Sequence, residues 1–424
     1  MGGLPRAWRV NRWPTFALSL LVLGPTAAAQ SAPPLAVPLP FTRAEAIASA
    51  LEKSTRHTIA RVDVASASAE VSAARQFENP VLSSSYSGSA PQAHVTLDVP
   101  FDWPGLRAPR IAAARAQLGA ATVRLRLADV LLAFDTDTTY TRAQTLEAQA
   151  RLLAGTARDA DSLLALVRLR RDAGDASDLD VEIANVSAGQ LTNAALAASA
   201  SATAAILRLQ LLIGVSPDSI RIALADTIAV AATAIPSPPT PADAPVTGVA
   251  LPVAAATLDV RAAEEQARLE RRKRIGAPAL ALGVETINPG GPGGALPLVG
   301  VSLPLPLFNR NRAAIARADL DVQRGRALLV QAALEQQTSA RLAQTDAAAA
   351  RRRAENSFRL LASAERIGAL SLLAYREGAT TLVNVLEAQR TARDARAQLL
   401  DDLAAVQIAE RLQQLLSLRL PNTP

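Results

Sequence analysis

The distribution of proline constrains the fold of this chain more than any other feature. The sequence holds 27 prolines, yet none occurs between Pro109 and Pro217, and none between Pro306 and Pro421. A proline inside a helix removes one backbone hydrogen bond and clashes with the preceding turn. Because apolar residues within these two stretches also recur at helical spacing, both stretches are predicted to be helical almost throughout.

Each proline-free stretch contains one glycine turn signal, at Gly174 and at Gly378. The pattern therefore predicts two helical hairpins, one over 108–215 and one over 308–420. The first arm of each hairpin covers about 65 residues and would extend about 100 Å. A helix of that length cannot be enclosed in a compact domain, so it must lie along partner helices in an extended bundle or barrel.

Two pairs of short β-like segments precede the hairpins, over 80–100 and 278–304. The alternation of polarity is clearest over 94–99, where each polar residue is followed by an apolar one. Segments of about ten residues with such alternation are typical of outer-membrane strands. A soluble hairpin with one solvated face has the same pattern, so the segments alone leave both interpretations open.

The same order of segments occurs twice along the chain. An offset of 204 residues separates Gly174 from Gly378, and it also separates Pro100 from Pro304. We therefore predict a tandem duplication in which each repeat consists of a helix, a β-hairpin and a long helical hairpin. The predicted boundaries are a first repeat over 31–225 with its first helix over 42–76, a Pro/Ala-rich connector over 226–253, and a second repeat over 254–424.

Residues 1–30 have the composition of an export signal. Three arginines, at Arg6, Arg9 and Arg12, precede a short apolar run, and the alanines at 27–29 offer a cleavage site. No later stretch is predicted to be a transmembrane helix. We therefore expect an exported protein without a helical span, which leaves a periplasmic, a secreted and a β-barrel protein as alternatives.

Composition excludes several classes of site and function. The chain has no cysteine, which excludes disulfides, thiolate metal ligands and a lipidated N-terminal cysteine. Its two histidines, His57 and His94, are far apart in sequence, so neither a metal site nor a cofactor is expected. The 44 basic and 38 acidic residues are interleaved, which argues against nucleic-acid binding. No catalytic motif or phosphate-binding loop is present, so the protein is predicted not to be an enzyme.

Several passages resemble one known family. They are YREGATTLVNVLEAQ at 375–389, its counterpart AGDASDLDVEIAN at 173–185, and the mirrored passages at 97–116 and 301–318. In their order and spacing they resemble the TolC-type outer-membrane efflux proteins over nearly all of the mature chain. The passages DVPFDWPGLRAPR and LPLPLFNRNR resemble branches of this family that serve exporters of heavy-metal cations.

The resemblance implies a mainly α fold with a small β part, in which a tandem-repeat protomer assembles as a homotrimer. The trimer would form a 12-stranded β-barrel in outer-membrane lipid and a hollow α-barrel across the periplasm. Its function would be that of a passive exit duct in a tripartite efflux system, exporting small molecules or metal cations. Its partners would be a periplasmic adaptor (membrane fusion) protein and an inner-membrane pump.

The resemblance also implies individual site residues. The two glycine turns would form periplasmic tips that dock the adaptor, through Ala173, Gly174, Asp175, Glu377, Gly378 and Ala379. The constriction that closes the channel would be lined by Asp180 in the first repeat and by Asn384 and Glu387 in the second. Some relatives carry an aspartate at the position of Asn384, so the expected ring of carboxylates there comes from Glu387. An alternative interpretation is that Asp180 and Asn384 only cap the helices that begin at these turns.

Two other functions are compatible with the sequence. A duct for type I protein secretion would have the same channel, because the inner-membrane pump selects the cargo. A non-channel periplasmic coiled-coil interaction protein would share the long helices. An adaptor of that second kind would need a compact β-rich domain beside a single hairpin, whereas this chain predicts two hairpins of equal length.

Overall fold

The computed structural model describes residues 39–88, 93–102, 105–216, 222–226, 248–274, 278–286 and 294–420. The predicted export signal and residues 227–247 of the predicted connector lie outside the described residues. The described residues belong to one compact unit, Pro38–Pro424. The fold class is confirmed as mainly α with a small β part. In chain order the elements are β1 (Leu39–Phe41), α1 (Arg43–Lys53), α2 (Thr55–Arg75), β2 (Val81–Tyr86), β3 (Ala93–Pro100), α3 (Arg107–Asp172), α4 (Asp178–Ile213), β4 (Ile222–Leu224), β5 (Val249–Ala250), α5 (Leu251–Arg272), β6 (Ala279–Thr286), β7 (Ala295–Ser302), α6 (Arg312–Arg376), α7 (Leu382–Ser417) and β8 (Arg419–Leu420).

The two longest helices are the first arms of the helical hairpins. Helix α3 has 66 residues and α6 has 65, while their return arms α4 and α7 have 36 residues each. Each first arm therefore extends about 40 Å beyond its return arm. Along this extension the first arms pack against α2 and α5, so that α2, α3, α5 and α6 lie side by side in that order. Nearer the turns, α7 takes the place of α5 beside α3.

Small side chains form the seam between α6 and α7. The buried residues of this part of α6 are spaced alternately four and three apart, which is the repeat of a coiled-coil seam. Alanine dominates the seam, so the two helix backbones can approach closely. The buried seam residues of α6 are Ala343, Ala347, Ala350, Ala354, Ser357, Leu361 and Ala364.

The prediction of one helix over 42–76 is wrong, because the structure has two helices there, α1 and α2. Ser54 has extended backbone angles, ends α1 and begins α2. Its side chain accepts a hydrogen bond from the backbone N–H of Arg56, which caps α2. The start of the second repeat also differs, because α5 begins at Leu251 and accommodates Pro252 in its first turn, where a proline removes no helical hydrogen bond.

One described helix, α4, is long and apolar enough to cross a membrane by length and composition. The sequence analysis predicts no such span after the export signal. In the fold α4 is the return arm of the first hairpin and packs along α3. Its C-terminal end lies beside α1, where the Ser49 hydroxyl donates to the carbonyl of Ile213.

The four hairpin strands form one antiparallel sheet in the order β2-β3-β6-β7. The central pair joins the two repeats, with Val95 opposite Val284 and Leu97 opposite Leu282. Residues directly opposite each other share a face, so these four apolar side chains lie on one face, where they are exposed. Two small pairs, β1 with β4 and β5 with β8, were not predicted.

A buried ionic cluster joins the repeats on the helical side. Asp137 of α3 is almost fully buried and lies 3.0 Å from a guanidinium nitrogen of Arg43 and 3.0 Å from one of Arg411. These partners come from α1 and α7, so one carboxylate connects elements of both repeats. Because the buried Asp137 carboxylate is paired with two guanidinium groups, removal of either arginine would leave its charge less fully compensated.

Tyr140 of α3 is fully buried next to this cluster. Its hydroxyl donates to the carbonyl oxygen of Phe41 at 2.8 Å and accepts from the backbone N–H of Asp226 at 3.4 Å. Burial, which disfavours the charged phenolate, raises the pKa of Tyr140 to about 12. The hydroxyl therefore holds β1 and the segment after β4 against α3 in its neutral form.

The Tyr140→Phe variant tests this contact. Its free energy of unfolding in detergent at pH 8 should be lower by about 1 kcal/mol, since the Phe41 carbonyl loses one of its two hydrogen-bond donors and keeps only the N–H of Ala225. The folded-state pKa lies above that of the unfolded chain, about 10, so the wild type should lose stability between pH 10 and 12. The variant should lose less over this range. The Tyr86→Phe variant, changed at an exposed strand position, is the control; equal losses in Tyr140→Phe and wild type would contradict the assignment.

Candidate gate at the helical tips

The two glycine turns lie at the same end of the fold. A single apolar core next to them takes residues from all four hairpin helices. Its members include Val167 of α3, Val181 of α4, Tyr375 of α6 and Val385 of α7, all buried. The two hairpin ends therefore form one packed unit, which we call the tip and define as residues 170–181 and 375–387.

The first turn is closed by backbone hydrogen bonds around Gly174. The φ angle of Gly174 is 85°, in the left-handed region that glycine enters without strain. The N–H of Asp175 donates to the carbonyl of Arg170 at 2.8 Å, which satisfies one of the carbonyls left free at the end of α3. The predicted docking residues Ala173, Gly174 and Asp175 are all exposed at this turn.

Asp180 caps α4 in a reciprocal arrangement with Ser177. The Ser177 hydroxyl accepts from the backbone N–H of Asp180, and the Asp180 carboxylate accepts from the backbone N–H of Ser177, both at 3.1 Å. The Ser177 hydroxyl also lies 2.8 Å from that carboxylate. These reciprocal bonds form a capping box. The contacts of Asp180 in this structure are therefore those of a helix cap, as in the alternative interpretation of the sequence.

The second turn has the same backbone path but a weaker cap. Gly378 has a φ angle of 75°, and the N–H of Ala379 donates to the carbonyl of Ala374 at 2.8 Å. Thr381 begins α7 without a side-chain capping hydrogen bond. The Asn384 side chain instead donates to the Thr380 hydroxyl at 3.0 Å. The predicted docking residues Glu377, Gly378 and Ala379 are exposed.

Glu387 differs from Asp180 because its carboxylate is largely unconstrained. The side chain is 69% exposed, and its nearest cation, Arg390, is 3.9 Å away and also exposed. Asn384 and Glu387 lie three residues apart on α7, so they share one exposed helix face. Of the three predicted constriction residues, the structure thus places two side by side, while the third is engaged in the cap of α4.

A contact between Arg170 and Tyr375 joins the two hairpin ends, and the sequence analysis above did not predict it. The guanidinium of Arg170 donates to the carbonyl oxygen of Tyr375 and lies over the Tyr375 ring, 4.7 Å from its centre. Tyr375 is buried, and burial is the largest cause of the raised pKa of its hydroxyl. The second turn is close by, since a side chain at Gly378 would begin 3.9 Å from the Arg170 guanidinium. One arginine therefore joins the last turn of α3 to the last turn of α6.

No metal site accompanies these residues in the part of the chain that the structure describes. No group of three or more His, Asp or Glu side chains comes together there in a way that could hold a metal ion. The chemistry available at the tip is that of carboxylates, guanidinium groups and backbone carbonyls around two glycine turns.

Comparison with known proteins agrees with this geometry. The sequence profile described as outer membrane efflux protein matches residues 46–215, which cover most of the first repeat. Over these residues the chain is similar in sequence to outer membrane efflux proteins. Comparison of the sequence with curated proteins gives no match.

Solved structures of outer-membrane channels have a fold similar to that of this chain along most of its length. VceC from Vibrio cholerae is 17% identical with a TM-score of 0.70, over 88% of this chain and 96% of that chain. CusC is 19% identical with a TM-score of 0.70, over 88% of this chain and 91% of that chain. The CmeC outer membrane channel from Campylobacter jejuni is 12% identical with a TM-score of 0.75, over 90% and 87% respectively.

The Arg170→Gln variant tests the contact between the hairpin ends. It removes a charged hydrogen bond to the Tyr375 carbonyl, so amide hydrogen exchange over 376–382 should be about ten-fold faster. Arg171→Gln is a matched control, because Arg171 pairs only with Asp172 and Asp178 of its own hairpin. Equal acceleration at 376–382 in both variants would show that Arg170 does not hold the second turn.

Proposed function

We propose that the protein is the outer-membrane exit duct of a tripartite efflux system. It acts as a passive trimeric channel that receives small molecules or metal cations from an inner-membrane pump through a periplasmic adaptor. The observation that carries this proposal is the four-stranded sheet with one exposed apolar face and two unpaired edges. The long helices and the two glycine turns are the observations that favour the helical part of the proposed duct.

The edges of the sheet argue for more than one copy. Strands β2 and β7 each have a neighbour on one side only. In lipid, every backbone polar group needs a partner inside the protein, so an open four-stranded sheet is not a viable membrane structure. Three copies joined edge to edge would make a closed barrel of twelve strands, in which β2 of one copy pairs with β7 of the next.

The helices at the ends of the helix row support the same assembly. Helices α4 and α6 are the outermost helices near the tip, and both expose large apolar side chains to the outside of the unit. Exposed apolar surface of this extent indicates an interface. Contact between α4 of one copy and α6 of the next would continue the wall of the barrel. The exposed residues are Leu179, Val186, Leu196, Leu207 and Leu211 on α4, and Leu334, Leu342, Leu360, Ile367 and Leu370 on α6.

The tips supply a gate and a docking surface in this proposal. Three copies would bring six glycine turns together at the end of the helical barrel. The exposed turn residues 173–175 and 377–379 would contact the adaptor. Asn384 and Glu387 of each copy would face the narrowed pore, where three carboxylates would attract cations and repel anions. Asp180 would border the constriction while it caps α4.

Native mass determination tests the assembly. Washed outer membranes should yield, after detergent extraction, a particle with three times the mass of the mature chain. The physical reason is that the sheet has no stable membrane form until its edges are paired. A soluble periplasmic monomer or dimer would contradict the proposal and favour the coiled-coil interaction protein instead.

The Glu387→Gln variant tests the pore lining. In planar bilayers its cation-to-anion permeability ratio should fall by about two-fold, since the loss of one charge from each of the three copies at a solvated pore wall should change the free energy of a passing ion by less than about 1.4 kcal/mol in total. Glu52→Gln is the control. Glu52 is an exposed carboxylate on α1, which packs beside the C-terminal end of α4, far from the tip. An unchanged ratio in Glu387→Gln would contradict its place in the constriction.

A further inference from the structure

The polar face of the four-stranded sheet carries few ionisable groups. In its described residues, three side chains can be charged near neutral pH: His94 and Asp98 on β3, and Glu285 on β6. All three lie on the face opposite the four apolar side chains of the central strand pair, because β3 residues 94, 96 and 98 alternate with 95, 97 and 99, and Glu285 is directly opposite His94. The charge of this face therefore depends on two carboxylates and one imidazole in each copy.

Two of these groups meet across the central strand pair. His94 is directly opposite Glu285 in the register of β3 and β6. The Nδ1 atom of His94 lies 3.4 Å from the Oε2 atom of Glu285, and both side chains are partly exposed. The pair joins one strand from each repeat. It sits at the end of the sheet that is farthest from the helices, since His94 is the second residue of β3 and Glu285 is the last but one of β6.

Among the described residues, the polar face of the sheet has one other charged group near the pair. Across β2 the residue opposite His94 is Ser85, and across β7 the residue opposite Glu285 is Leu296. Along β3 on the same face come Thr96 and then Asp98, which is four residues and about 13 Å away. The charged groups that His94 faces on the described sheet are therefore Glu285 and, at longer range, Asp98.

We propose that His94 and Glu285 form an ion-selectivity site at the outer mouth of the sheet-lined pore. Its preference for cations is set by the protonation of His94. The proposal rests on the proposed channel function: the apolar face of the sheet lies against lipid, so the polar face lines the pore. The ions that the site selects are small inorganic cations such as K⁺, which pass the Glu285 carboxylate of each copy.

The charge of the site changes within a narrow range of pH. Imidazole is the side chain that ordinarily changes charge between about pH 5 and 8, whereas carboxylates stay ionised over most of that range. With His94 neutral, three copies present six carboxylates on the polar face. With His94 protonated, three of those negative charges are offset by imidazolium groups. Acidification therefore halves the net negative charge of the polar face of the sheet and lowers its attraction for cations.

The chain offers a matched control because it has only two histidines, and both contact a carboxylate. The Nδ1 atom of His57 on α2 lies 2.7 Å from the Oδ1 atom of Asp129 on α3. His57 is thus paired like His94 but belongs to the helical part. A general effect of histidine protonation on the protein would appear in variants at either position, whereas a selectivity site in the sheet concerns His94 alone.

The test measures reversal potentials of the detergent-purified full-length mature protein in planar bilayers under a KCl gradient, at pH 8 and pH 5.5. The wild type should lose less than half of its cation preference on acidification, because the charge offset in the sheet leaves the contribution of the proposed Glu387 ring in place. His94→Gln should keep the preference seen at pH 8 and lose the change with pH. His57→Gln should behave like the wild type. Glu285→Gln should lower the preference at pH 8, and Asp98→Asn should lower it at both pH values.

Several results would overturn the site. A change with pH that survives in His94→Gln would do so, as would an unaltered preference at pH 8 in Glu285→Gln. Loss of the change with pH in both histidine variants would assign it to the protein as a whole. These results leave the channel function intact, because all of them require conducting channels. Trimers of wild-type protein that conduct no ions would instead overturn the proposed function, and this inference with it.

Discussion

Helices about 100 Å long can be stable only where other helices lie along them, and the rest of this structure depends on that constraint. Within one chain, α4 and α7 cover only part of α3 and α6, so α2 and α5 must cover the remainder. The seam of α6 is built from alanines at coiled-coil spacing, which brings helix axes close but buries little apolar area in each residue. Stability must therefore come from the length of the contacts and from neighbours on the outer helices.

The second constraint is that two similar repeats must act as one unit. They are joined at three levels of the molecule, each by different chemistry. In the sheet the joint is the backbone pairing of β3 with β6. In the middle of the helical part it is the buried carboxylate of Asp137 between Arg43 and Arg411. At the tip it is Arg170 on the carbonyl and ring of Tyr375. Directional contacts such as these can fix one arrangement of the two repeats.

The tip shows how two repeats with the same backbone can differ in function. Both turns use a glycine in the left-handed region, and both return arms begin four residues later. The first return arm has a complete capping box, whereas the second begins without a side-chain cap. A helix start without this cap is less stable by about 1 kcal/mol. The second turn is thus the one that can rearrange more easily, and Arg170 contacts it directly. This asymmetry suits a gate in which one hairpin moves against the other.

Sequence by itself determined the four long helices of the two hairpins, because proline is excluded from helix interiors and glycine is favoured at their ends. It also predicts the strand faces and the repeated order of segments, since both are periodic patterns in the residues. The break at Ser54 escaped prediction because a serine in a helical pattern is compatible with both a helix interior and a cap. The small strand pairs escaped because two or three residues carry no recognisable period.

Contacts between distant residues were decided only by the tertiary structure. The offset of 204 residues places an alanine, Ala374, at the position equivalent to Arg170. The pairing of Arg170 with Tyr375 therefore has no counterpart in the repeat and could not be inferred from it. The register that sets His94 opposite Glu285, and the packing that buries Asp137 between two arginines, likewise depend on how the repeats dock. Periodicity fixes which face of an element a residue occupies, but only the docking of elements decides which side chain it meets.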